Sequence, residues 1–202
     1  KTSDTDIFES EPVRDIMENL SLHDGFYKRE SVDAAIEHKD EIIPLLLDIL
    51  DKIIASPEAY ARKDDFLHIY ALMLLGHFRE TKAHTPVIAL LNLPEDTVDS
   101  LFGDLIFENV PAILFRTCGG SSDQIKSLVL NRSAWVSSRA AALQSMVLGV
   151  LEDVLDRDET LKFFSSLHSE KKDDFPIDFW NTFGRCVYDL YPLELMDTIK
   201  EI

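Results

Sequence analysis

Histidines and an acid near the middle of the chain provide residue types that can bind metal. His77, Glu80 and His84 form the string H-x-x-E-x-x-x-H. A zinc-protease motif instead has two histidines four residues apart on one helix, with Glu beside the first, so that both rings face one ion. Here the histidines are seven apart, and Thr85-Pro86 indicates a break in the helix near them. We therefore expect no zinc site from this string.

Asp104 and Glu108 form a pair of carboxylates on a segment that is otherwise apolar. Their i, i+4 spacing puts both on one helix face. Such a pair could perform general acid–base chemistry. It could also be a structural pair with Arg79, Arg116 or Arg139, or an exposed recognition surface. We favour structure or recognition over catalysis.

His68 follows two acids, Asp64 and Asp65, at the start of a predicted helix. One Asp–His pair is too few ligands for a metal, so we expect a structural histidine held by a nearby carboxylate. The enzyme alternative places His68, Asp104 and Glu108 together in one pocket around a metal or a water molecule. That alternative requires the three groups to converge within hydrogen-bonding distance.

The two cysteines, Cys118 and Cys186, lie far apart in the sequence and form no C-x-x-C motif. We expect two buried thiols that pack as small hydrophobic groups. The chain also has no G-x-S-x-G, phosphate-loop or G-x-G-x-x-G motif. These observations predict no catalytic residues, no bound metal and no cofactor.

Composition and charge restrict the classes of partner. Apolar residues make up 46% of the chain, enough to fill a core, and the net charge is −17. The charge lies mainly at the two ends, whereas residues 66–150 are nearly neutral and strongly apolar. A field of this sign repels phosphate backbones and anionic lipids, so we expect neither nucleic acid nor membrane as a partner. Without a membrane span or a secretion signal, we expect a cytoplasmic location.

Hydrophobic periodicity predicts helices along most of the chain. Ile42, Leu45, Leu46, Ile49, Leu50 and Ile53 follow the spacing of one helical face, and residues 66–78 are apolar almost all round. First helices are predicted to begin near 41, 84, 122, 158 and 192, and second helices near 65, 103, 135 and 176. The period of roughly 34 to 43 residues is typical of two-helix solenoid repeats. An irregular helical bundle is the alternative.

The predicted fold is therefore all-α, a HEAT-like α-α superhelix formed as a short solenoid of stacked antiparallel helix pairs. We expect one domain over 1–202, in which 1–11 is a loose arm, 12–39 forms capping helices and 40–202 forms the repeats. Residues 135–143, read Trp-Val-Ser-Ser-Arg-Ala-Ala-Ala-Leu, resemble the second helix of a HEAT repeat. Ile42-Ile43-Pro44-Leu45-Leu46 resembles a HEAT first helix with its early proline.

Several further segments resemble an uncharacterised bacterial family, a domain of unknown function. The matching stretches are Asp24-Gly25-Phe26-Tyr27 with Arg29-Glu30, Leu67-His68-Ile69-Tyr70-Ala71, Gly76-His77-Phe78-Arg79-Glu80, Leu101-Phe102-Gly103-Asp104-Leu105 with Glu108 and Pro111, Arg139-Ala140-Ala141-Ala142-Leu143, and Arg157-Asp158-Glu159. The resemblance runs from about residue 15 to the end and implies a helical-repeat fold without an established activity. Members of that family often continue into a cysteine-rich SEC-C zinc motif, which this sequence does not contain.

The predicted site is a concave face lined by the second helix of each pair. It would carry His68, His77, Asp104, Glu108, Arg116 and Arg139. Arg139 is also expected to bridge neighbouring repeats through a carboxylate or helix C-terminal carbonyls. We expect the face to be an acidic scaffold that grips a protein or peptide of basic or mixed charge. The oligomeric state does not follow from the sequence.

Overall fold

Helices form most of the backbone that the structure describes. The computed structural model describes residues 10–22, 24–61, 66–171 and 175–190, with the backbone alone at 168–171. The helices in these residues are α1 (Glu11–Ser21), α2 (Arg29–Glu37), α3 (Lys39–Ala55), α4 (Pro57–Tyr60), α5 (Leu67–His77), α6 (His84–Leu91), α7 (Glu95–Phe102), α8 (Leu105–Glu108), α9 (Val110–Thr117), α10 (Asp123–Leu130), α11 (Val136–Leu151), α12 (Arg157–Lys171) and α13 (Ile177–Asp189). The all-α prediction is confirmed. Within the same residues, none of the helices combines the length and the apolar character that crossing a bilayer requires.

The helices stack in two layers. Helices α5, α9, α11 and α13 pack side by side in that order and form what we call the second-helix layer. In the first-helix layer, α3 packs on α6 and α6 on α10, and the Nζ atom of Lys126 on α10 lies 5.7 Å from the ring centroid of Phe163 on α12. Across the layers, α3 contacts α5, α6 contacts α9, α10 contacts α11, and α12 contacts α11. This arrangement of stacked helix pairs confirms the helical-repeat prediction.

Apart from the second helix predicted near 103, the described repeat helices begin within two residues of their predicted positions. First helices begin at residues 39, 84, 123 and 157, and second helices at 67, 110, 136 and 177. The first helix predicted near 192 lies outside the described residues. The superhelical path and the division into one domain with an arm and a cap stay predictions.

The second helix predicted to begin near residue 103 begins instead at Val110, because the chain breaks at Gly103 and again at Asn109. Gly103 has φ of +46°, a left-handed conformation that glycine adopts without strain, and its N–H donates to Asp99 O at 2.8 Å to end α7. Pro111 has no N–H to donate to a residue four positions earlier, so the helix restarts as α9 after Asn109. Helices α7 and α8 are therefore an insertion between α6 and α9.

Helices α1 and α2 cover one end of the stack. They pack on each other, α1 also packs on α5, and α2 packs on both α3 and α5. Val13, Ile16 and Leu20 on one face of α1 are buried, as the i, i+3, i+4 spacing requires. Full burial of a side chain of this size contributes roughly 1.5–3 kcal/mol.

The core runs between the layers as the apolar pattern predicts. All six predicted stripe residues of α3 are buried: Ile42, Leu45, Leu46, Ile49, Leu50 and Ile53. On α5, Gly76 lets the second-helix layer close up, since a Cβ added there would lie 3.0 Å from Ile113 Cγ1 and 3.4 Å from Ile113 Cα. Helix α11 presents Ala140, Ala141 and Ala142, all buried, to its neighbours. Small residues at these contacts allow the helices to approach closely.

The cysteines are two free, buried thiols, as predicted. The Sγ of Cys118 donates to Phe115 O at 3.1 Å. Burial raises the pKa of Cys118, and it raises the pKa of Cys186 to about 12 with a smaller contribution from the charge of Asp189. Both groups therefore stay protonated at neutral pH.

Candidate functional site

His68 lies inside the protein, beside the α7 insertion. Its side chain is in the first turn of α5, the residue is 4% exposed, and its Nε2 lies 2.8 Å from Leu101 O. A carbonyl only accepts, so Nε2 carries the proton and donates it. The histidine thus ties α5 to the end of α7. The cap carboxylates that we expected to hold it, Asp64 and Asp65, lie outside the described residues.

Arg139 is also buried, although the sequence placed it on the binding face. It is 3% exposed, and its Nε donates to Val129 O in the last turn of α10 at 2.9 Å. Its guanidinium carbon lies 4.6 Å from the ring centroid of Phe175 and 4.9 Å from that of Phe179. The carbonyl bond therefore lies within the α10–α11 pair, and the contact with Phe179 joins this pair to α13. The bridge to the neighbouring repeat is made by aromatic rings and not, as predicted, by a carboxylate or helix C-terminal carbonyls. Burial, followed by the charge of Arg132, lowers the pKa of Arg139.

The other four predicted site residues are exposed on or beside the second-helix layer. His77 ends α5, Asp104 precedes α8, Glu108 ends α8, and Arg116 lies in the last turn of α9. They do not form one cluster: His77 and Glu108 line two different grooves, and neither groove includes Asp104 or Arg116. The structure therefore distributes these side chains along the layer.

The enzyme alternative requires His68, Asp104 and Glu108 to share a pocket, and they do not. His68 lines a pocket of about 390 Å³ with Asp99, Leu101 and Gly103, while Glu108 lines a separate groove. Across the described part of the chain, no three His, Cys, Asp or Glu side chains lie close enough to hold a metal ion.

The histidine string likewise provides no common site. His77 is exposed with its ring centroid 5.7 Å from that of Phe78, whereas His84 is buried with its Nδ1 3.0 Å from Thr117 Oγ1.

The first groove runs along α5, between α2 and the start of α8, and we call it the α5 groove. It has a volume of about 340 Å³ and is lined by Tyr27, Val32, Ile36, Phe66, Ile69, Tyr70, Met73, Leu74, His77 and Leu105. Its wall is fixed where the Lys28 N–H donates to the hydroxyl of Tyr70 at 3.2 Å, with the Tyr27 and Tyr70 ring centroids 6.5 Å apart. The lining is almost wholly apolar, and His77 is its one histidine.

The second groove, which we call the α11 groove, lies between α8–α9 and α13, with α11 as its floor. It has a volume of about 220 Å³ and is lined by Phe107, Glu108, Pro111, Gln144, Val147, Leu148, Leu151, Thr182, Arg185, Cys186 and Asp189. Its apolar floor is thus edged by two acids and one base. Such an edge suits a ligand with apolar anchors and mixed charge.

Among the described residues, the large exposed hydrophobic side chains are absent from the first-helix layer. In the part of the chain that the structure describes, the large exposed ones are Leu22, Phe26, Tyr27, Ile36, Met73, Phe107, Leu151, Ile177 and Tyr188. All belong to the second-helix layer, to α8 or to the α1–α2 cap, and none lies on α3, α6, α10 or α12. Sequence reasoning missed Ile36, Met73 and Leu151, because each belongs to an apolar helical pattern that is typical of a core. It also missed Tyr27, which lies in the polar connection between α1 and α2.

Exposed charge is denser on the first-helix layer and is mainly acidic there. That layer carries the exposed acids Asp40, Glu41, Asp48, Asp51, Asp123, Asp158 and Glu159, and the exposed bases Lys39, Lys52 and Lys162. Along the described second-helix layer and α8, the exposed acids are Glu108, Asp178 and Asp189, and the exposed bases are Arg116 and Arg185. The second-helix side is accordingly of mixed charge.

Two layers of stacked helix pairs, with one apolar outer side, define this protein as an all-α helical-repeat protein. It belongs to the family described as "Protein of unknown function (DUF1186)", whose model matches residues 12–202. This match confirms the resemblance to an uncharacterised bacterial family.

Curated relatives from two chlamydiae support the same assignment. An "Uncharacterized protein" of Chlamydia muridarum (strain MoPn / Nigg) is 30% identical over 190 residues, which cover 94% of this chain and 76% of the relative. An "Uncharacterized protein" of Chlamydia trachomatis serovar D (strain ATCC VR-885 / DSM 19411 / UW-3/Cx) is 30% identical over 190 residues, covering 94% of this chain and 75% of the relative. The comparison with solved structures gave no match.

Proposed function

We propose that this chain is a protein-binding module whose partner docks on the second-helix side. The observation that carries the proposal is the one-sided distribution of exposed hydrophobic residues, exemplified by Met73 and Leu151. Large apolar side chains left in water on one side only, beside grooves, are typical of a protein–protein contact surface.

The two grooves divide this surface into parts with different chemistry. The α5 groove provides apolar depth, and the α11 groove adds Glu108, Arg185 and Asp189 at its edge. Arg185 has no ion pair with another described residue within 4 Å, so its charge is available to a partner. A protein or peptide with apolar anchors and basic or mixed charge matches these features.

A selection with displayed random peptides tests the proposal. We expect the purified chain to enrich peptides that contain apolar anchors. Binding of the enriched peptides should fall at least about tenfold when Met73→Asp or Leu151→Asp places a carboxylate on the second-helix side.

The matched control places the same charge on the other layer. Thr85→Asp lies at the exposed start of α6, where the helix dipole favours a negative charge, and it should leave binding unchanged. If no peptide is enriched, or if Thr85→Asp weakens binding as much as the other two variants, the proposal is wrong.

A further inference from the structure

The shape of the α5 groove matches one kind of occupant. Phe66, Ile69, Tyr70, Met73 and His77 follow one another along a single face of α5. Residues 66–77 span about 16 Å at 1.5 Å per residue, which is three turns of helix. Helix-in-groove recognition uses apolar anchors at i, i+3 or i+4 and i+7, which cover a comparable length.

We propose that the α5 groove binds an amphipathic helix of a partner protein, with its apolar face in the groove and Lys or Arg along both flanks. The inference rests on the proposed protein-binding function and specifies its site and partner. An apolar lining gives a polar metabolite few hydrogen bonds, whereas it provides leucine-sized anchors with places to leave water.

The charge at the edges of the groove selects basic flanks. Asp33 and Glu37 each directly follow a residue of the α2 wall, Val32 and Ile36, and Asp104 directly precedes Leu105 on the opposite wall. All three acids are exposed. Both sides of the groove therefore carry carboxylates next to apolar lining, and a cation on either flank of the ligand helix has a counter-charge within reach.

These acids are not neutralised by their neighbours. Neither Glu37 nor Asp104 has an ion pair within 4 Å among the described residues. Asp33 meets only Arg29, at 3.8 Å, and both side chains are mostly exposed, so the pair is weak. Lys28, which precedes α2, forms an ion pair with Asp24. The edge of the groove is thus acidic where the ligand would pass.

Labelled synthetic peptides of about 18 residues, or five helical turns, test the inference directly. One peptide carries a leucine face flanked by Lys, a second has Glu in place of each Lys, and a third is a scrambled version of the first. By fluorescence anisotropy at physiological ionic strength we expect the first peptide to bind at least about tenfold tighter than either of the others.

Met73→Asp separates docking from general attraction between a basic peptide and an acidic protein. The variant makes the protein more acidic, so non-specific binding of the Lys peptide would strengthen. Docking in the groove requires instead that binding weaken about tenfold or more. Thr85→Asp, which adds the same charge on the first-helix layer outside both grooves, should leave binding of this peptide unchanged.

Charge reversal on α2 gives a second readout that leaves the core untouched, because Asp33 and Glu37 are both exposed. In the double variant Asp33→Lys with Glu37→Lys, preference should move toward the Glu-flanked peptide. Equal binding of the Lys peptide and its scrambled version, or a Met73→Asp variant that binds as well as the parent, would overturn the inference. If displayed peptides are blocked by Leu151→Asp and not by Met73→Asp, the proposed function stands and this inference fails.

Discussion

At the scale of single residues, the buried polar groups of this protein join helices. His68 connects α5 to α7, Arg139 connects α11 to α10, and His84 connects α6 to α9. Each bond satisfies a polar group that would otherwise lose water on burial. Two of these residues, His68 and Arg139, are also predicted site residues. Because both are buried, their side chains join helices and do not face a partner.

His84 is held in its neutral form by its surroundings. Thr117 Oγ1 donates to Ile113 O at 2.9 Å, so His84 Nδ1 must carry the proton that it donates to Thr117. Its Nε2 is buried without a hydrogen-bond acceptor among the described residues. A second proton would bring an unpaired charge into the core, and burial accordingly lowers the pKa of His84 from 6.5.

His84 is expected to make stability depend on pH. Above pH 6.5 the histidine is neutral in both states, whereas below it the unfolded chain binds a proton that the folded chain does not. The free energy of unfolding should therefore fall as the pH drops from about 7.5 to 5.5, by at most about 1.4 kcal/mol per unit. Urea unfolding followed by circular dichroism measures this slope.

Substitution identifies the group responsible for the slope. His84→Asn keeps a donor near Nδ1 and removes the titrating ring, so it should flatten the pH dependence. His77→Asn, at the exposed end of α5, should keep it. Equal slopes in the parent and in His84→Asn would mean that another group is responsible.

At the scale of helices, Gly149 lies at a close contact between α11 and the turn that follows it. After α11 the chain turns back sharply, and the N–H groups of Val154 and Leu155 both donate to Gly149 O at 2.8 and 2.9 Å. Asp153 adopts a left-handed φ of +56° in this turn. Leu155 is thereby folded back against Gly149.

The two glycines Gly149 and Gly184 should respond to alanine with opposite signs. A Cβ at Gly149 would lie 2.7 Å from Leu155 Cδ1 and 2.8 Å from its Cγ, whereas a Cβ at Gly184 meets nothing within 4 Å. We expect Gly149→Ala to lower the free energy of unfolding by about 1–3 kcal/mol through overpacking. Gly184→Ala should raise it by up to about 1 kcal/mol through helix propensity. Urea midpoints of both variants check this, and a change of the same sign in both would contradict the packing described here.

At the scale of the whole molecule, the two layers have different surfaces. The first-helix layer is polar and acidic, and the second-helix side carries the exposed hydrophobic residues. A net charge of −17 makes the folded chain repel itself more strongly than the extended unfolded chain does.

Added salt is therefore expected to stabilise the fold. Raising NaCl from about 0.01 M to about 1 M shortens the screening length from about 30 Å to about 3 Å. We expect a gain of about 1 kcal/mol, or about 2–4 °C in the unfolding temperature measured by calorimetry. Asp51→Lys, on the exposed acidic layer, should reduce the gain. A fall in the unfolding temperature with salt would mean that ion pairs such as Asp48–Lys52 outweigh the repulsion.

The hydrophobic period and the helix-breaking residues of the sequence predict the helices and their order. The buried residues of α3 are predicted individually, because burial of one helix face imposes its spacing directly on the sequence. The break at Asn109 was missed, although Gly103 and Pro111 are both visible, since the apolar run across them resembles one helix. The apolar run favours one helix there, whereas Gly103 and Pro111 favour a break, and the packing of the helices determines which of the two forms.

Which apolar and charged residues face water is visible only in the tertiary structure. Met73 and Leu72 are neighbours with the same chemistry, yet Leu72 is buried and Met73 is exposed in the α5 groove. Asp104 and Glu108 share a segment, but only Glu108 lines the α11 groove. A sequence records how strongly a side chain avoids water, while the stacking of one helix on the next determines which side chains are covered and which are left free to bind.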